Sequence, residues 1–382
     1  MGLLRRRTHR LSVVVPAYGV QDYLPTALDS VLAQPGPPRG VELEVVVVDD
    51  GSTDDSGAIA DEYAARDDRV RVVHTDNHGL GAARNEGVRH ATGDLLAFLD
   101  GDDALPADAY GAMLKQLRRT GADFVTGSIV RWFDDGSGRV DGGTEEQPPW
   151  MRRLHRERRV CFIEQHPEIL GDVFAWNKLW SRAFYDGAAL SWPEGVRYED
   201  QPTTTEAYLR ARRIGIVPDV VYRWRVRHDG SSITQQRATV EDLRDRWTTK
   251  RMTLDSVHAY GSTPVTRMAV DKVLAGDLPR YFAAIPDADD EWWELLVSGV
   301  REIWAERPLT GAGLPPAQRL VGWLVQHDRR EEAELVTRHL AALPPGERVA
   351  RVEDRQGRRI DVPGLDPRSV ARVALALRDD ER

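Results

Sequence analysis

The alternation of short apolar runs with helical patterns over the first 130 residues constrains the fold most strongly. The run at 44–48 (EVVVV) is almost continuously apolar, as expected of a strand buried on both faces. Similar runs lie at 11–15 and 94–99, and helical spacing follows the first of them from Asp22 to Ala33. This alternation predicts an α/β fold with βαβ units and a parallel sheet covered by helices on both faces.

The later part of the chain has a different pattern, which predicts a second domain. After about Gln236 the apolar spacing becomes mainly helical. Helices are expected at 240–258, 265–285, 316–326 and 329–342, and a hairpin near 349–362. We therefore divide the chain into a catalytic domain at 1–236 and a mainly helical accessory domain at 237–382. Within the first domain, the Gly-rich and acidic stretch from Asp134 to Pro149 lacks any period and predicts a long mobile loop.

Composition argues against several classes of protein. The net charge of −9, without a long basic tract, argues against a nucleic-acid binder. The single cysteine, Cys161, excludes an internal disulfide and a cysteine-cluster metal site, which fits a reducing compartment. No run approaches the roughly 18 apolar residues that cross a bilayer, so we expect a cytoplasmic protein. The basic first ten residues are compatible with peripheral contact at the inner face of the membrane, although a solubilising tail is the simpler interpretation.

Two acidic clusters come directly after apolar runs. Asp49 and Asp50 end one run, and Asp100 and Asp102 follow another. Ligands of open α/β sheets bind at the carboxyl ends of the strands, so both clusters are expected to face one cleft. Crowded carboxylates repel each other unless a cation lies between them, and Mg²⁺ or Mn²⁺ bound to a diphosphate meets that need. The alternative is that Asp and Gly merely form turns, but two such clusters argue against it.

Four short motifs resemble those of a known family. In chain order they are 13–18 (VVVPAY), 47–54 (VVDDGSTD), 77–85 (NHGLGAARN) and 98–103 (FLDGDD). Their order and spacing are similar to those of family 2 glycosyltransferases with the GT-A fold. Three later segments extend the resemblance to about residue 235, and the first of them is similar to a segment of wall teichoic acid and capsule enzymes. They are 174–180 (FAWNKLW), 199–200 (ED) and 227–234 (RHDGSSIT).

The resemblance implies an inverting enzyme that moves a sugar from a nucleotide diphosphate donor, with a preference for UDP-sugars, to a hydroxyl group. The acceptor implied is a cell-wall or capsular polymer, such as a glycan or a polyol phosphate, and the implied cofactor is Mn²⁺ or Mg²⁺. The residues implied for the nucleoside pocket are Pro16, Ala17, Tyr18, Asp49 or Asp50, Asn77 and Arg84. Arg84 is expected to stack on the base or approach the phosphates, unless it is an ordinary surface charge.

The resemblance also implies a metal and diphosphate site. Asp100, Gly101 and Asp102 form the DXD motif, with Asp100 nearer the ribose and Asp102 as the metal ligand. Further contacts to the diphosphate are implied for Arg227, Ser231 and Ser232. His228 is either a second metal ligand or a surface histidine.

Inverting transfer needs a carboxylate that removes the proton of the acceptor hydroxyl. The resemblance assigns this role to Asp200, and the sequence that follows also predicts a helix start there. Glu199, Trp176, Asn177 and Lys178 are assigned to the acceptor, with Trp176 stacking on a sugar ring. An ordinary buried strand or helix is the alternative for residues 176–178.

Two other functions fit the sequence less well. Sugar-phosphate nucleotidyltransferases have a Gly-rich loop with Arg and Lys after the first strand, whereas residues 16–23 contain neither cation. A non-catalytic glycan- or nucleotide-binding module is disfavoured because Asp100, Asp102 and Asp200 occur together. The accessory domain is expected to dock a polymeric acceptor, form a homo-oligomer or bind a partner enzyme, and the sequence does not choose among these.

Overall fold

The computed structural model describes residues 9–34, 41–135, 142–227 and 239–381. The chain divides into two compact units, Met1–Ser232 and Ile233–Arg382. The division of the sequence at residue 236 stays a prediction about domains. None of the helices in the described ranges is long and apolar enough to cross a membrane.

The first unit is built on one mixed sheet. In the described ranges its strands are β1 (His9–Ala17), β2 (Val41–Asp50), β3 (Val70–Thr75), β4 (Leu95–Phe98), β5 (Phe124–Phe133), β6 (Thr144–Glu146), β7 (Arg159–Cys161), β8 (Lys178–Ser181) and β9 (Ile214–Arg225). Their order across the sheet is β3-β2-β1-β4-β8-β5-β9-β7, and β6 pairs with β5. The strands β1 to β4 are mutually parallel, whereas β8 runs antiparallel to β4 and β5.

Branched apolar residues explain the central position of β1. Val13, Val14 and Val15 are fully buried, and the parallel register places Val13 beside Val45 on β2 and Ala97 on β4. A strand that is covered on both faces requires such a continuous apolar run. The predicted mostly parallel α/β sheet is therefore confirmed.

Within the described part of the first unit, seven α-helices accompany this sheet. They are α1 (Leu24–Leu32), α2 (Ser56–Arg66), α3 (Leu80–His90), α4 (Ala109–Thr120), α5 (Pro149–Leu154), α6 (Arg182–Gly187) and α7 (Asp200–Arg210). The helix start predicted at Asp200 is confirmed. The loop predicted from Asp134 to Pro149 is corrected in part, because its described residues include strand β6 and the first residue of α5.

The second unit is mainly helical, as predicted. Its helices are α8 (Val240–Tyr260), α9 (Thr263–Met268), α10 (Leu278–Phe282), α11 (Asp290–Ile303), α12 (Pro316–Gln326), α13 (Arg330–Ala341) and α14 (Arg372–Leu375). The hairpin predicted near the C-terminus is present as β10 (Ala350–Asp354) and β11 (Gly357–Asp361). The single helix predicted over 265–285 was wrong, because this stretch contains a π-helical segment, Ala269–Val273, between α9 and α10.

Candidate active site

The first cluster of candidate residues lies where β1 and β2 end. The register pairs Pro16 with Val48 and Ala17 with Asp49, so the end of β1 lies beside the acidic end of β2. The side chain of Ala17 is buried, whereas Tyr18 just beyond the strand is 52% exposed. An exposed ring next to buried backbone is suited to contact a planar ligand.

Asp49 and Asp50 have different partners, which separates their roles. One Asp49 oxygen lies 2.9 Å from Nδ1 of His74, and the other accepts a hydrogen bond from the amide of Ser52. The hydrogen bond to Asp49 is the main cause that raises the pKa of His74. Asp50 instead accepts backbone N–H bonds from His78 at 3.0 Å and Gly79 at 2.8 Å. Asp50 thus fixes the turn that leads into α3.

Asn77 lies exposed on the same turn. The close approach of this turn to the end of β2 explains Gly51, which has a φ of +71° and would place a Cβ 2.8 Å from the amide nitrogen of Asn77. Any side chain at position 51 would push the turn away. The structure therefore holds Asn77 next to the end of β2.

Arg84 is buried between two carboxylates. Its guanidinium lies 2.8 Å from Asp100 and also pairs with Glu199, and its side chain is only 2% exposed. Trp192 lies beside the guanidinium, 5.2 Å from Cζ to the ring centroid. Burial alone would lower the pKa of Arg84, but the charges of Asp100 and Glu199 outweigh it and raise the pKa. The alternative of a surface charge is thereby excluded, and the buried guanidinium is not placed to stack on a base.

The DXD segment is fixed by buried polar contacts. The amide of Asp100 donates to the hydroxyl of Tyr222 at 3.1 Å, and this hydroxyl donates to Asp103 at 2.7 Å. Burial raises the pKa of Asp103 well above its usual value. Gly101 lies so close to β1 that a Cβ there would be 2.9 Å from the carbonyl oxygen of Pro16. The motif is therefore held tightly against the end of β1.

Asp102 carries a partly exposed carboxylate, as does Asp100, whose side chain is 20% exposed. The side chain of Asp102 is 25% exposed and lies 2.7 Å from the guanidinium of Arg227. Its backbone carbonyl accepts from Nε of Arg225 at 2.7 Å. Arg227 therefore balances the charge of Asp102, as a metal ion would in the predicted enzyme.

Glu199 and Asp200 stand at the start of α7. Glu199 is 5% exposed and turned to Arg84. The charge of Asp200 contributes to the raised pKa of Arg84 and opposes the lowering of the pKa of Lys178, so its carboxylate lies within electrostatic reach of both. Arg84 thus connects Glu199, at the start of α7, to Asp100 of the DXD motif.

Residues 176–178 lie inside the protein, which argues against direct contact with an acceptor. Trp176 is 6% exposed and stacks on Tyr222, with ring centroids 3.9 Å apart. Asn177 and Lys178 are fully buried, and both bind the carboxylate of Asp172. We therefore correct our expectation for these three side chains, since the geometry favours the alternative of an ordinary buried segment.

Few side chains near the DXD motif could bind the predicted metal. Within the described ranges, no group of three or more His, Cys, Asp or Glu side chains is arranged to hold a metal ion. Asp102 nevertheless offers an accessible carboxylate. Mg²⁺ is normally held by one or two carboxylates together with substrate phosphates, so this sparse donor set fits a metal that arrives with its nucleotide. His228, Ser231 and Ser232 lie outside the described residues.

Sequence reasoning missed a buried polar cluster behind α7. Asp172 binds Lys178 at 3.1 Å, Thr126 at 2.5 Å and the hydroxyl of Tyr208, a residue of α7, at 3.2 Å. Burial would raise the pKa of Asp172, but the charge of Lys178 outweighs it and lowers the pKa. The isolated charges at 172 and 178 in an otherwise apolar stretch are the signal in the sequence from which such a pair could have been found.

Comparison with known proteins gives the family. The sequence profile described as Glycosyl transferase family 2 matches residues 12–180. The putative glycosyltransferase EpsH of Bacillus subtilis is 32% identical over 60% of this chain and 64% of its own length. Glycosyltransferase GlyG of Streptococcus pneumoniae is 30% identical over 58% of this chain and 72% of its own length. The chain thus spans under two thirds of the length of EpsH.

Solved structures share the fold. TarS 1-349 of Staphylococcus aureus in complex with UDP-GlcNAc matches with a TM-score of 0.68 at 20% identity, covering 94% of this chain and 98% of that one. In sequence TarS, named a poly(ribitol-phosphate) beta-N-acetylglucosaminyltransferase, is 26% identical over 72% of this chain and 44% of its own length. A mannosyltransferase of Pyrobaculum calidifontis in complex with GDP-Man and Mn²⁺ matches with a TM-score of 0.51 at 19% identity, covering 90% and 89% of the two chains. These likenesses confirm the predicted GT-A fold. The profile match, together with the 30% identity to GlyG over 72% of its length, shows that the chain belongs to glycosyltransferase family 2.

Proposed function

We propose that the chain is a metal-dependent inverting glycosyltransferase that moves a sugar from a UDP-sugar to a hydroxyl of a cell-wall or capsular polymer. The observation that carries this proposal is the buried Arg84, which pairs with Asp100 of the DXD motif and with Glu199 beside Asp200. It joins the expected donor site to the expected base. Such an arrangement is suited to chemistry between two bound substrates.

Asp200 is the proposed general base. It stands in the first turn of α7, where a carboxylate interacts favourably with the helix dipole. It accepts the proton of the acceptor hydroxyl while that oxygen attacks the anomeric carbon from the side opposite the leaving diphosphate. The buried Glu199 is committed to Arg84 and orients the start of the helix.

Asp102 and His228 are the residues that would hold the metal. A bound Mn²⁺ or Mg²⁺ supplies positive charge that stabilises the leaving diphosphate. Arg227 lies next to Asp102 and is positioned to contribute a further positive charge to the same group, and Ser231 and Ser232 follow it in the chain. Tyr18, Asp50 and Asn77 are proposed to surround the nucleoside. TarS, which is similar to this chain in sequence as well as in fold, was solved with UDP-GlcNAc, and this supports a uridine donor for the chain.

The donor is tested by following release of nucleoside diphosphate from a panel of nucleotide sugars with Mn²⁺. We expect hydrolysis of at least one UDP-sugar, and its loss when the metal is chelated. An acceptor polymer present in the assay should raise the rate. Release that is equally fast with a chelator would contradict metal dependence.

The base is tested with Asp200→Asn. We expect transfer to fall about 10²- to 10⁴-fold because general base catalysis contributes an effect of this size. Binding of UDP, followed by calorimetry, should change little. Asp186→Asn is a matched control, since Asp186 is an exposed carboxylate on α6 that pairs with Arg182. If Asp200→Asn instead weakens UDP binding, and transfer falls by the same factor, Asp200 would be assigned to the donor site.

A further inference from the structure

We propose that an aromatic and cationic surface on β5, α5 and β9 binds a phosphate group of the acceptor. This surface, the Arg131 site, consists of Arg131, Trp150, Phe174 and Trp224, all of them half-buried. The inference rests on the proposed function, because it assigns the site to the acceptor of that reaction. It assigns an anionic, phosphate-bearing polyol or sugar chain as the class of acceptor.

Arg131 differs from the other arginines of these strands in its partners. Arg223 pairs with Glu145, Arg225 with Asp134 and Arg227 with Asp102. Every arginine of β9, and the one that follows it at position 227, is therefore paired with a carboxylate. The side chain of Arg131 forms neither a hydrogen bond nor an ion pair with any described residue, and this includes the side chain of Glu146, its cross-strand neighbour on β6. Its guanidinium therefore keeps its donors available to an external anion.

Two tryptophan rings hold this guanidinium in place. Cζ of Arg131 lies 5.1 Å from the ring centroid of Trp150 and 5.8 Å from that of Trp224. Contact of a guanidinium with aromatic rings orients it without neutralising its charge. An oriented guanidinium binds phosphate through two parallel hydrogen bonds, which a lysine cannot reproduce.

A stack of aromatic rings connects the Arg131 site to the DXD motif. The hydroxyl of Tyr222 accepts from the amide of Asp100. The ring of Tyr222 stacks on Trp176 at 3.9 Å, and Trp176 stacks on Phe174 at 4.4 Å. Phe174 lies 5.9 Å from Trp224. Two stacking contacts therefore join Phe174 of the Arg131 site to Tyr222, which contacts the motif.

The same rings are suited to the carbon skeleton of the acceptor. Phe174 and Trp224 present half-buried apolar faces, and such faces pack against the C–H groups of sugars and polyols while excluding water. A chain of net charge −9 gains little from long-range attraction of an anion, so recognition of phosphate must come from a local positive charge. Arg131 supplies that charge.

The experiment measures binding of two chemically defined probes to the full chain by calorimetry. One probe is a ribitol-phosphate oligomer, and the other is a neutral oligosaccharide of similar length. We expect the wild-type chain to bind the phosphate oligomer more tightly, and Arg131→Gln to raise its Kd about tenfold. Arg71→Gln is the matched control, because Arg71 is an exposed arginine on β3 that also lacks an ion pair with the described residues. It should leave the Kd unchanged.

A second variant and a second ligand keep the test independent of folding and of the proposed function. Phe174→Leu should weaken binding of the oligomer several-fold, and UDP affinity should remain that of the wild type in both variants. An unchanged Kd for the oligomer in Arg131→Gln, or no binding by the wild-type chain, overturns the Arg131 site. If Arg131→Gln weakens binding of the neutral oligosaccharide as much as that of the phosphate oligomer, the site does not recognise phosphate. Failure of the wild-type chain to bind UDP refutes the proposed donor function instead, and the separate titration reveals it.

Discussion

Arg84 illustrates how a single buried charge ties distant segments together. Its guanidinium pairs with both Asp100 and Glu199, which follow β4 and precede α7 in the chain. Replacing it by glutamine would leave two carboxylates in a poorly solvated place without a compensating charge. We expect Arg84→Gln to lower the free energy of unfolding by about 3–5 kcal/mol, as measured by urea denaturation.

The control for this prediction lies on the same helix. Arg89 pairs with Glu86 three residues away, but its side chain is 62% exposed. Exposed pairs contribute about 0–1 kcal/mol because water screens them, so Arg89→Gln should change stability within that range. Equal effects of the two substitutions would show that the pairs of Arg84 do not stabilise the fold.

His74 gives a prediction about pH. Its hydrogen bonds to Asp49 and Asp61 raise its pKa above the ordinary value, so the folded state binds the proton more tightly than the unfolded chain. The stabilisation is present below the unfolded pKa of about 6.5 and is lost as the pH rises through the folded pKa. NMR titration of His74 should show the raised pKa, and Asp49→Asn should move it back towards 6.5. An unchanged titration curve in Asp49→Asn would rule out the carboxylate as the cause.

Among the elements, α3 depends on glycine for its close approach to the sheet. A Cβ at Gly87 would lie 2.2 Å from Cγ1 of Val14 on β1, inside van der Waals contact. We expect Gly87→Ala to destabilise the protein by about 1–3 kcal/mol through overpacking, and thermal unfolding would measure it. Gly187, at the end of α6, has no atom within 4 Å of such a Cβ. Gly187→Ala should therefore be neutral or stabilising by up to about 1 kcal/mol. An equal loss of stability in both variants would contradict the packing argument.

The elements differ in how far the sequence predicts them. The strands β1, β2 and β4 are predictable because burial on both faces requires continuous apolar runs, and their carboxyl ends then locate Asp50, Asp100 and Asp102. The strand β8 is not predictable in this way, since four residues that begin with the buried Lys178 show no strand period. Its place between β4 and β5 depends on pairing across the chain.

Other contacts of the site could not be predicted from the sequence because their partners are far apart in the chain. Arg84 is a charged residue in a helix and resembles a surface charge until Glu199, 115 residues later, is brought against it. Asp103 and Tyr222 form a buried hydrogen bond across 119 residues. The spacing of apolar residues along a helix or strand cannot reveal partners so far apart in the sequence. The motifs therefore identify the residues of the candidate site, while the contacts that orient them follow only from the folded chain.

At the scale of the whole molecule, each unit has an apolar core of its own. The second unit buries a cluster drawn entirely from residues 243–377, in which tryptophans are prominent. These buried rings serve packing, because large aromatic side chains contribute much of the apolar area of a core. A core confined to one unit implies that damage to it need not disturb the sheet that carries the candidate site.

Trp247 is the residue with which to test this separation. It is fully buried on α8, and its ring lies against α11 so closely that a Cβ at Gly299 would be 2.3 Å from it. We expect Trp247→Ala to cost about 3–5 kcal/mol by opening a cavity. Hydrogen exchange followed by mass spectrometry should show faster exchange in peptides of α8 and α11, with peptides of β1 and β2 unchanged. Trp323→Ala removes the same ring from a partly buried position on α12 and should have a smaller effect. Faster exchange throughout β1 and β2 in Trp247→Ala would mean that the two units unfold as one, because the loss of a core contact in one of them would then lower the stability of both.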